Sequence, residues 1–285
     1  MNEATTKRGA EQRKAQAEAL HASIIDQVQQ LADRGQWRKF LDFARSFHTY
    51  SLNNLLLILA QNRDATMVAG FRQWQVKGRQ VRKGETSIKI FGYSTKKTTT
   101  TDEESSTEQE ERTVHYFPVL SVFDISQTDP IDGVAAAAEN PVQQLTGDQD
   151  HGVLDPLTAH LEGNGWTVTH ATLAHANGYA DPARHTIVLR RNLAPEQAAK
   201  TLIHEAAHIH LGHVDNLGEY RQHRGRMEAE AESVAYIVAG LAGFDTSAYS
   251  IGYITGWANE NLNLIRETAS RVLKATQAIA AVIAP

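Results

Sequence analysis

The chain has 285 residues, of which 41% are hydrophobic, and a formal net charge of −5 at pH 7. This length and apolar content are enough for one or two domains with real cores. The absence of cysteine excludes a disulfide framework and any thiolate metal ligand. The sequence has neither the apolar core of a signal peptide near its polar start nor a segment long enough to cross a bilayer. We therefore expect a cytoplasmic protein that has no membrane partner.

Helices followed by short strands are predicted for the first part of the chain. Ile24, Ile25, Val28 and Leu31 recur at helical spacing, which indicates an amphipathic helix over residues 8–33, broken by Gly35. The elements predicted after it are helices near 36–47 and 51–61 and strands near 67–70, 80–82, 87–93 and 114–123. The pattern indicates a domain of mixed helices and antiparallel sheet over residues 1–128.

A polar, low-complexity segment interrupts the predicted strands. Residues 94–113 contain a run of lysines and threonines followed by acidic residues and serines. Such a composition cannot form a packed core, so we expect a disordered loop inside a hairpin. Residues 129–150 contain prolines, glycines and an alanine run. We interpret them as a linker to a second domain over residues 151–285.

Charge is divided unevenly along the chain. Residues 1–93 contain 15 Lys and Arg against 8 Asp and Glu, whereas residues 94–150 contain 3 against 12 and residues 151–285 contain 10 against 13. The positive excess of the first segment suggests an anionic partner. Over residues 70–85, basic residues alternate with aromatic ones, which suits single-stranded nucleic acid because cations contact phosphates and rings stack on bases. The alternative is a β-hairpin with a solvated basic edge and Trp74 in the core.

The second half of the chain predicts further helices and strands. The predicted elements are a helix at 153–164, strands at 166–173 and 185–190, helices at 195–212 and 226–240, and a final helix at 258–282. Together with the first half, this pattern predicts an α+β fold class.

One motif indicates metal chemistry. His204, Glu205 and His208 form a His-Glu-x-x-His sequence within the predicted helix at 195–212. Residues four apart lie on one face of a helix, so both histidines can bind one metal ion. Glu205 lies beside them and can act as the general base for a metal-bound water, as in zinc hydrolases. The alternative is a buried helix with two hydrogen-bonded histidines.

A zinc site that is open for catalysis needs a third protein ligand. The helix predicted at 226–240 carries Glu228 and Glu232 one turn apart on one face. We assign Glu228 as the metal ligand and Glu232 as a hydrogen-bond partner of a ligating histidine, because both roles compensate a buried carboxylate. Glu230 is expected to point to solvent. The alternative is an acidic, solvated helix start.

These motifs resemble the ImmA/IrrE metallopeptidase family over about residues 150–245. The resemblance rests on the His-Glu-x-x-His motif, on the position of Glu228 three residues before Ala231, and on residues 178–189, which are similar to the family's hairpin of edge strands. Members of the family are gluzincins, which bind zinc through two histidines and one glutamate. The resemblance therefore implies a gluzincin-like zinc metalloendopeptidase domain and supports Glu228 over Glu232 as the ligand.

The amino-terminal part resembles the N-terminal domain of ArdC-type antirestriction proteins. The matching segments are residues 37–41, 50–58, 70–74 and 78–84. In that family the domain is associated with single-stranded DNA binding and precedes a zinc metallopeptidase domain. The residues that the resemblance and the basic–aromatic pattern assign to DNA binding are Tyr50, Asn53, Arg72, Trp74, Lys77, Arg79, Arg82 and Lys83.

The combined pattern predicts an ArdC-like antirestriction protein that binds single-stranded DNA of incoming mobile elements and contains a zinc-dependent metallopeptidase with an unknown protein substrate. Glu205 would deprotonate a zinc-bound water that attacks a peptide carbonyl. Two alternatives stay open. One is an ImmA/IrrE-type regulatory protease that cleaves a repressor, and the other is a non-catalytic DNA-shielding protein with a structural metal.

Overall fold

The computed structural model describes residues 3–100, 110–131, 149–246 and 261–283. The fold is mixed α+β, as the sequence predicts. The chain divides into two compact units: unit 1 comprises Met1–Ile25 and Leu56–Ala138, and unit 2 comprises Asp26–Leu55 and Glu139–Pro285. Three parts of predicted segments lie outside the described residues, namely 101–109 of the loop, 132–148 of the linker and 258–260 of the final helix.

The helices in chain order are α1 (Glu3–Gln30), α2 (Arg34–Phe47), α3 (Leu52–Gln61), α4 (Phe71–Val76), α5 (Leu154–Gly163), α6 (Pro195–His210), α7 (Leu217–Leu241) and α8 (Leu262–Ile283). The strands are β1 (Val68–Ala69), β2 (Arg79–Val81), β3 (Ile88–Phe91), β4 (Ser94–Thr100), β5 (Glu110–Tyr116), β6 (Val119–Asp124), β7 (Thr128–Pro130), β8 (Thr167–Ala171), β9 (Gly178–Asp181) and β10 (Thr186–Arg190).

The described residues of unit 1 form three small antiparallel sheets. Strand β6 lies between β1 and β3, β2 pairs with β7, and β4 pairs with β5. Asp124 lies where β6 ends. Its carboxylate accepts hydrogen bonds from the backbone amides of Thr66, Met67 and Ser126 at 2.9, 3.1 and 3.0 Å. The carboxylate therefore ties the end of β6 to the segment that enters β1.

Helix α4 occupies a region that the sequence pattern did not predict to be helical. The Gln73 side chain accepts from the backbone amide of Gly70 at 3.2 Å and so stabilises the start of α4. Trp74 is only 1% exposed and packs against Ala69 and Val81. Its indole Nε1–H donates to the carbonyl oxygen of Phe123 at 2.8 Å. Trp74 is thus part of the core of unit 1, in agreement with the alternative interpretation of this segment.

Strands β4 and β5 differ from the expectation of a disordered loop over 94–113. The ladder runs from Ser94 opposite Tyr116 to Thr100 opposite Glu110. Threonine is favoured in strands because its branched side chain suits extended backbone, and β4 contains four threonines. The low-complexity composition therefore hid a regular strand pair at both ends of the segment.

Unit 2 has a three-stranded sheet in the order β8–β10–β9. Strand β10 is parallel to β8 and antiparallel to β9, with Thr186 opposite both Thr167 and Asp181. Strand β9 is at an edge of this sheet and contacts α6. The arrangement brings an edge strand alongside the helix that carries the His-Glu-x-x-His motif.

Helix α7 is surrounded by α6, α8 and α2, and its residues 229–231 and 233–240 are all buried. The backbone departs from helical geometry at His223 (φ −119°, ψ 24°), so α7 consists of two helical parts joined at a kink. Trp37 of α2 donates from Nε1 to Ser233 Oγ at 3.1 Å, and Tyr236 donates to the carboxylate of Asp42. Residues 26–55, which the sequence grouped with the first domain, thus belong to the compact unit that holds α7.

Candidate metal centre

Helix α6 presents both motif histidines on one side. Pro195 occupies the first turn, where its missing N–H is no loss. Leu202, Ile203 and Ala206 are fully buried and fix the orientation of the helix. His204 and His208 are one turn apart, and the centroids of their rings lie 4.8 Å apart. The local sequence therefore sets the distance between the first two candidate ligands.

Helix α7 brings a carboxylate to the same point. His204 Nε2 lies 3.1 Å from His208 Nε2 and 3.5 Å from Glu228 Oε2, and His208 Nε2 lies 3.8 Å from the same oxygen. A tetrahedral ion with bonds of about 2.0–2.1 Å would hold its ligand atoms about 3.3 Å apart. These three residues form a group able to hold a metal ion, and the spacing of their atoms fits a divalent cation.

The nitrogens that face away from this point also have partners. His204 Nδ1 lies 3.2 Å from Glu232 Oε2, and His208 Nδ1 lies 3.0 Å from His213 Nδ1. Metal-ligating histidines commonly use their second nitrogen in this way, which fixes the orientation of the ring. Glu232 lies at the position that its predicted supporting role requires.

The three donors are strongly coupled electrostatically. Burial opposes protonation of His204, but hydrogen bonds to Glu228 and Glu232 outweigh it and raise the pKa of His204 to about 10. The hydrogen bond from His204, as the largest cause, holds the pKa of the Glu228 carboxyl well below its usual range. A metal ion would replace the proton held between His204 and Glu228, because only a neutral imidazole can ligate a metal.

Glu205 lies on the same helix but is not part of the donor group. Burial raises its pKa. His204 and a hydrogen bond from the backbone amide of Ala180 oppose this shift, whereas the charge of Glu228 adds to it. The bond to Ala180 connects Glu205 to edge strand β9. A buried carboxylate with a raised pKa beside a metal group is suited to accept and release a proton.

A cleft of about 430 Å³ opens over these residues. Its lining includes the donor triad, which is His204, His208 and Glu228, together with Glu205. Residues 178–180 of β9 and Tyr220 and Arg224 of α7 complete this part of the lining. The Tyr220 hydroxyl donates to Glu228, and burial together with that bond raises the pKa of Tyr220 to about 12. Tyr220 is therefore a neutral hydrogen-bond donor within the cleft, and the sequence pattern did not identify it.

Glu230 is a correction to the sequence interpretation. Instead of pointing to solvent it is 1% exposed, and its Oε2 lies 2.8 Å from His213 Nε2. The helical-wheel argument failed because α8 covers the opposite face of α7, and Thr268 of α8 donates to Glu230 Oε1 at 3.1 Å. His213 was also not identified as part of the site. Its signal was Gly212, because a glycine directly after a helix indicates the turn that folds the next residue back.

The candidate DNA-binding residues are distributed over both units. Arg72, Lys77 and Lys83 are exposed in unit 1. Arg79 donates to Thr128, and Arg82 forms ion pairs with Glu85 and Asp129. The burial of Trp74 leaves no accessible ring face, so the expectation that it stacks on bases is withdrawn. Tyr50 and Asn53 are half-buried in unit 2, where Asn53 accepts a hydrogen bond from Arg266.

The fold and the site together define a domain of metallopeptidase type, with a His-Glu-x-x-His helix and a glutamate donor on the next helix. Residues 162–242 match the family model of the IrrE N-terminal-like domain, and residues 14–123 match the N-terminal domain of anti-restriction factor ArdC. The chain therefore carries an ArdC N-terminal domain followed by an IrrE N-terminal-like peptidase domain. Both resemblances predicted from the sequence are confirmed.

Individual relatives are more distant. An uncharacterized protein of Bacillus anthracis is 25% identical over 272 residues, which cover 80% of this chain and 46% of that protein. The chain thus spans about half the length of this curated relative. The metal-free crystal structure of the antirestriction ArdC protein from the R388 plasmid is 21% identical, with a TM-score of 0.47, and the match covers 82% of this chain and 85% of that one. Its Mn(II)-bound structure is 20% identical, with a TM-score of 0.44 and the same coverage.

Among the residues that the structure describes, no helix has the length and apolar character that a membrane crossing requires.

Proposed function

We propose that the IrrE-like domain is a zinc-dependent endopeptidase, and that the whole chain is an ArdC-like antirestriction protein that acts in the cytoplasm on incoming mobile-element DNA. The single observation that carries the peptidase proposal is the convergence of His204, His208 and Glu228 beside buried Glu205. The family matches to both domains support the combination.

Two imidazole nitrogens and one carboxylate oxygen form the donor set of many catalytic zinc sites, with a fourth position left for water or substrate. Bound there, zinc would supply Lewis acidity and a water of lowered pKa. His204 and His208 would hold the ion through Nε2 and Glu228 through Oε2. Glu232 would keep the His204 ring in place from behind, through Nδ1.

Glu205 supplies the proton chemistry. It would take a proton from the attacking water and deliver it to the leaving amine, which requires a carboxylate whose pKa is closer to neutrality than usual. Burial moves the pKa of Glu205 in that direction. The Ala180 amide holds the carboxylate towards the cleft. The one proton of the Tyr220 hydroxyl is donated to Glu228 Oε1, which leaves Oε2 facing the two histidines.

The proposed class of substrate rests on strand β9. Among the described strands, β9 pairs only with β10, and its residues 178–180 line the cleft. An extended peptide can add to such an edge by backbone hydrogen bonds, which give affinity without demanding a particular sequence. An unstructured protein segment therefore suits the cleft better than a folded surface. Tyr179, which is 43% exposed, is suited to contact the side chains of such a peptide.

The peptidase proposal is tested with the full chain. Bound metal is measured by mass spectrometry, and hydrolysis is measured on a library of fluorogenic peptides, with and without single-stranded DNA. We expect one zinc per chain and hydrolysis that Glu205→Gln abolishes. A metal-loaded chain that cleaves nothing under either condition would favour a DNA-shielding protein with a structural metal. Cleavage that is specific to a repressor protein would favour the regulatory protease.

The DNA proposal rests on unit 1. The exposed cations Arg72, Lys77 and Lys83 are suited to phosphate contacts. Exposed rings are available for stacking in place of buried Trp74. Tyr93 and Phe117 are 67% and 63% exposed, and their ring centroids lie 5.9 Å apart. Aromatic faces stack on bases without reading their identity, so single-stranded DNA of any sequence is the proposed partner.

A further inference from the structure

A buried chain of polar groups lies behind His208. His208 Nδ1 is 3.0 Å from His213 Nδ1, and His213 Nε2 is 2.8 Å from Glu230 Oε2. Glu230 in turn accepts from Thr268 Oγ1 at 3.1 Å and lies 3.5 Å from Arg271 Nη2. His213, Glu230 and Thr268 are each 1% exposed. Buried polar groups are costly unless they are fully hydrogen-bonded, so this chain is a specific arrangement of the core.

The turn after α6 builds the first link of the chain. Gly212 has a φ of +70°, a left-handed conformation that favours glycine. The amide of His213 bonds to the carbonyl oxygen of His208 at 2.9 Å, and the amide of Gly212 bonds to that of Ile209. These two bonds form a Schellman motif, in which the second residue after the helix returns to contact its last turn. An apolar pair usually makes that contact, whereas here His213 makes it with a candidate metal ligand.

Hydrogen-bond complementarity determines which nitrogens carry protons. A carboxylate only accepts, so His213 must donate from Nε2 to Glu230. Arg271 already faces Glu230 with a positive charge, so the buried groups need no second cation at His213. A neutral His213 therefore accepts at Nδ1, and His208 must donate from its own Nδ1. This tautomer leaves the lone pair of His208 Nε2 directed at the donor triad.

We propose that His213 and Glu230 are positioning residues that hold His208 in the tautomer and orientation required for a metal ligand. This inference rests on the proposed metal site. It gives three neighbouring glutamates of α7 separate tasks: Glu228 binds the ion, Glu232 supports His204 directly, and Glu230 supports His208 through His213. Glu230 would then affect metal affinity although it does not reach the ion.

Arg271 connects the buried polar groups behind His208 to the end of α6. Its Nη2 donates to the carbonyl oxygen of Leu211 at 2.6 Å, at the end of α6, and also faces Glu230. A cation at this end of a helix is favourable because the last carbonyl groups are unpaired. Helix α8 thereby fixes the end of α6 and the carboxylate behind His213 together.

The experiment measures zinc affinity of the full chain by competition with a chelator. The variants are Glu230→Gln, which keeps the shape and removes the charge, and His213→Leu, which removes the acceptor for His208. His213→Asn is the conservative variant, because its Oδ1 can accept from His208 Nδ1. Glu267→Gln, an exposed change on α8, is the matched control.

We expect His213→Leu and Glu230→Gln to weaken zinc binding by about 10–100-fold, as changes behind a ligand do. His213→Asn should recover part of the loss, and Glu267→Gln should have no effect. Two spectroscopic measurements separate positioning from general stability. The visible spectrum of the Co²⁺-loaded chain should change, and ¹⁵N–¹H NMR should show that His208 loses its preference for a proton on Nδ1.

Variants that melt earlier but keep the wild-type zinc affinity, Co²⁺ spectrum and His208 tautomer would overturn the inference. The polar groups behind His208 would then only stabilise the core. A wild-type chain that binds no metal would overturn it together with the proposed site. A chain that binds zinc and cleaves no peptide contradicts only the proposed peptidase activity, because the affinity measurements still decide the roles of His213 and Glu230.

Discussion

Glu228 and Glu232 approach opposite nitrogens of one imidazole: Glu228 Oε2 lies 3.5 Å from His204 Nε2, and Glu232 Oε2 lies 3.2 Å from His204 Nδ1. One turn of α7 therefore surrounds the His204 ring with carboxylates. Only Glu228 also approaches His208 Nε2, at 3.8 Å. The geometry thus separates the candidate ligand from its support, although both residues are glutamates on one helix face.

The first prediction follows from that difference. Glu228→Ala should abolish tight zinc binding, because the two remaining protein ligands cannot hold the ion well. Glu232→Ala should weaken binding by about 10–100-fold and leave the ion in place. Isothermal titration calorimetry on both variants measures the two affinities. Retained binding in Glu228→Ala together with complete loss in Glu232→Ala would reverse the two roles.

The second prediction concerns Glu205. Glu205→Gln should keep the metal, since Glu205 is outside the donor triad, and should abolish hydrolysis, since an amide cannot accept the proton of the attacking water. Metal content and peptide turnover are measured on the same preparation. Loss of zinc from this variant would show that Glu205 belongs to the metal site and not to the proton-transfer step.

Local patterns predicted the donor triad, whereas tertiary packing determined what surrounds it. His204, His208, Glu228 and Glu232 follow from spacings of four residues on two helices, which the sequence displays directly. The burial of Glu230 depends on α8, more than thirty residues further along the chain. No periodicity within α7 contains that information. The same limit applies to Tyr220, which lies before the kink at His223 and returns to Glu228.

Gly240 and Trp74 also have roles that their local sequence does not reveal. Gly240 indicates a helix end in the sequence, and α7 ends one residue later, at Leu241. A Cβ at Gly240 would overlap the side chain of Arg45, which donates to the Gly240 carbonyl oxygen. Trp74 stands in a basic segment that suggests a nucleic-acid contact, yet it fills the core under β6. In both cases a distant segment determines the role of the residue.

The third prediction concerns the wall of the cleft. A Cβ at Gly178 would lie 2.7 Å from Thr201 Cγ2 and 3.0 Å from the carbonyl oxygen of Val188. Gly178→Ala should therefore push β9 away from α6 and lower the free energy of unfolding by about 1–3 kcal/mol. Gly163→Ala is the control, because a Cβ there meets nothing within 4 Å. Urea unfolding compares the two, and equal stabilities would contradict close packing of β9 on α6.

The fourth prediction concerns Asp124 in unit 1. Burial opposes ionisation, but the bonds from Ser126, Thr66 and Met67 outweigh it and lower the pKa of Asp124. A lowered pKa in the folded state contributes stability above the unfolded value of about 3.9, and this contribution is lost as the pH falls through the folded value. Asp124→Asn should therefore cost about 1–3 kcal/mol at pH 7.

The difference in unfolding free energy between Asp124→Asn and the wild type should shrink as the pH falls from 6 towards 3. Urea unfolding at several pH values measures this difference. Asp64→Asn, an exposed change in the same unit, is the control and should show a small difference at every pH. A large loss in Asp124→Asn that stays constant with pH would mean that the shape of the carboxyl group matters and its charge does not.

The last prediction concerns DNA binding by the full chain. Replacing Arg72, Lys77 or Lys83 with alanine should weaken binding of single-stranded oligonucleotides of any sequence to a similar degree. Each replacement should also lower the salt dependence, by about 0.7 in the slope of log K against log salt concentration, because one phosphate contact is lost. Tyr93→Ala and Phe117→Ala should each cost about 1–3 kcal/mol through lost stacking. Trp74→Ala should instead destabilise unit 1, since its ring is in the core.

Fluorescence anisotropy with single- and double-stranded oligonucleotides at two salt concentrations measures all five DNA variants, and circular dichroism melting checks that each is folded. Glu11→Gln, an exposed change on α1, is the control for a surface substitution that contacts no phosphate. A folded chain that binds neither oligonucleotide, or that prefers the duplex, would mean that the basic segment is only a solvated surface.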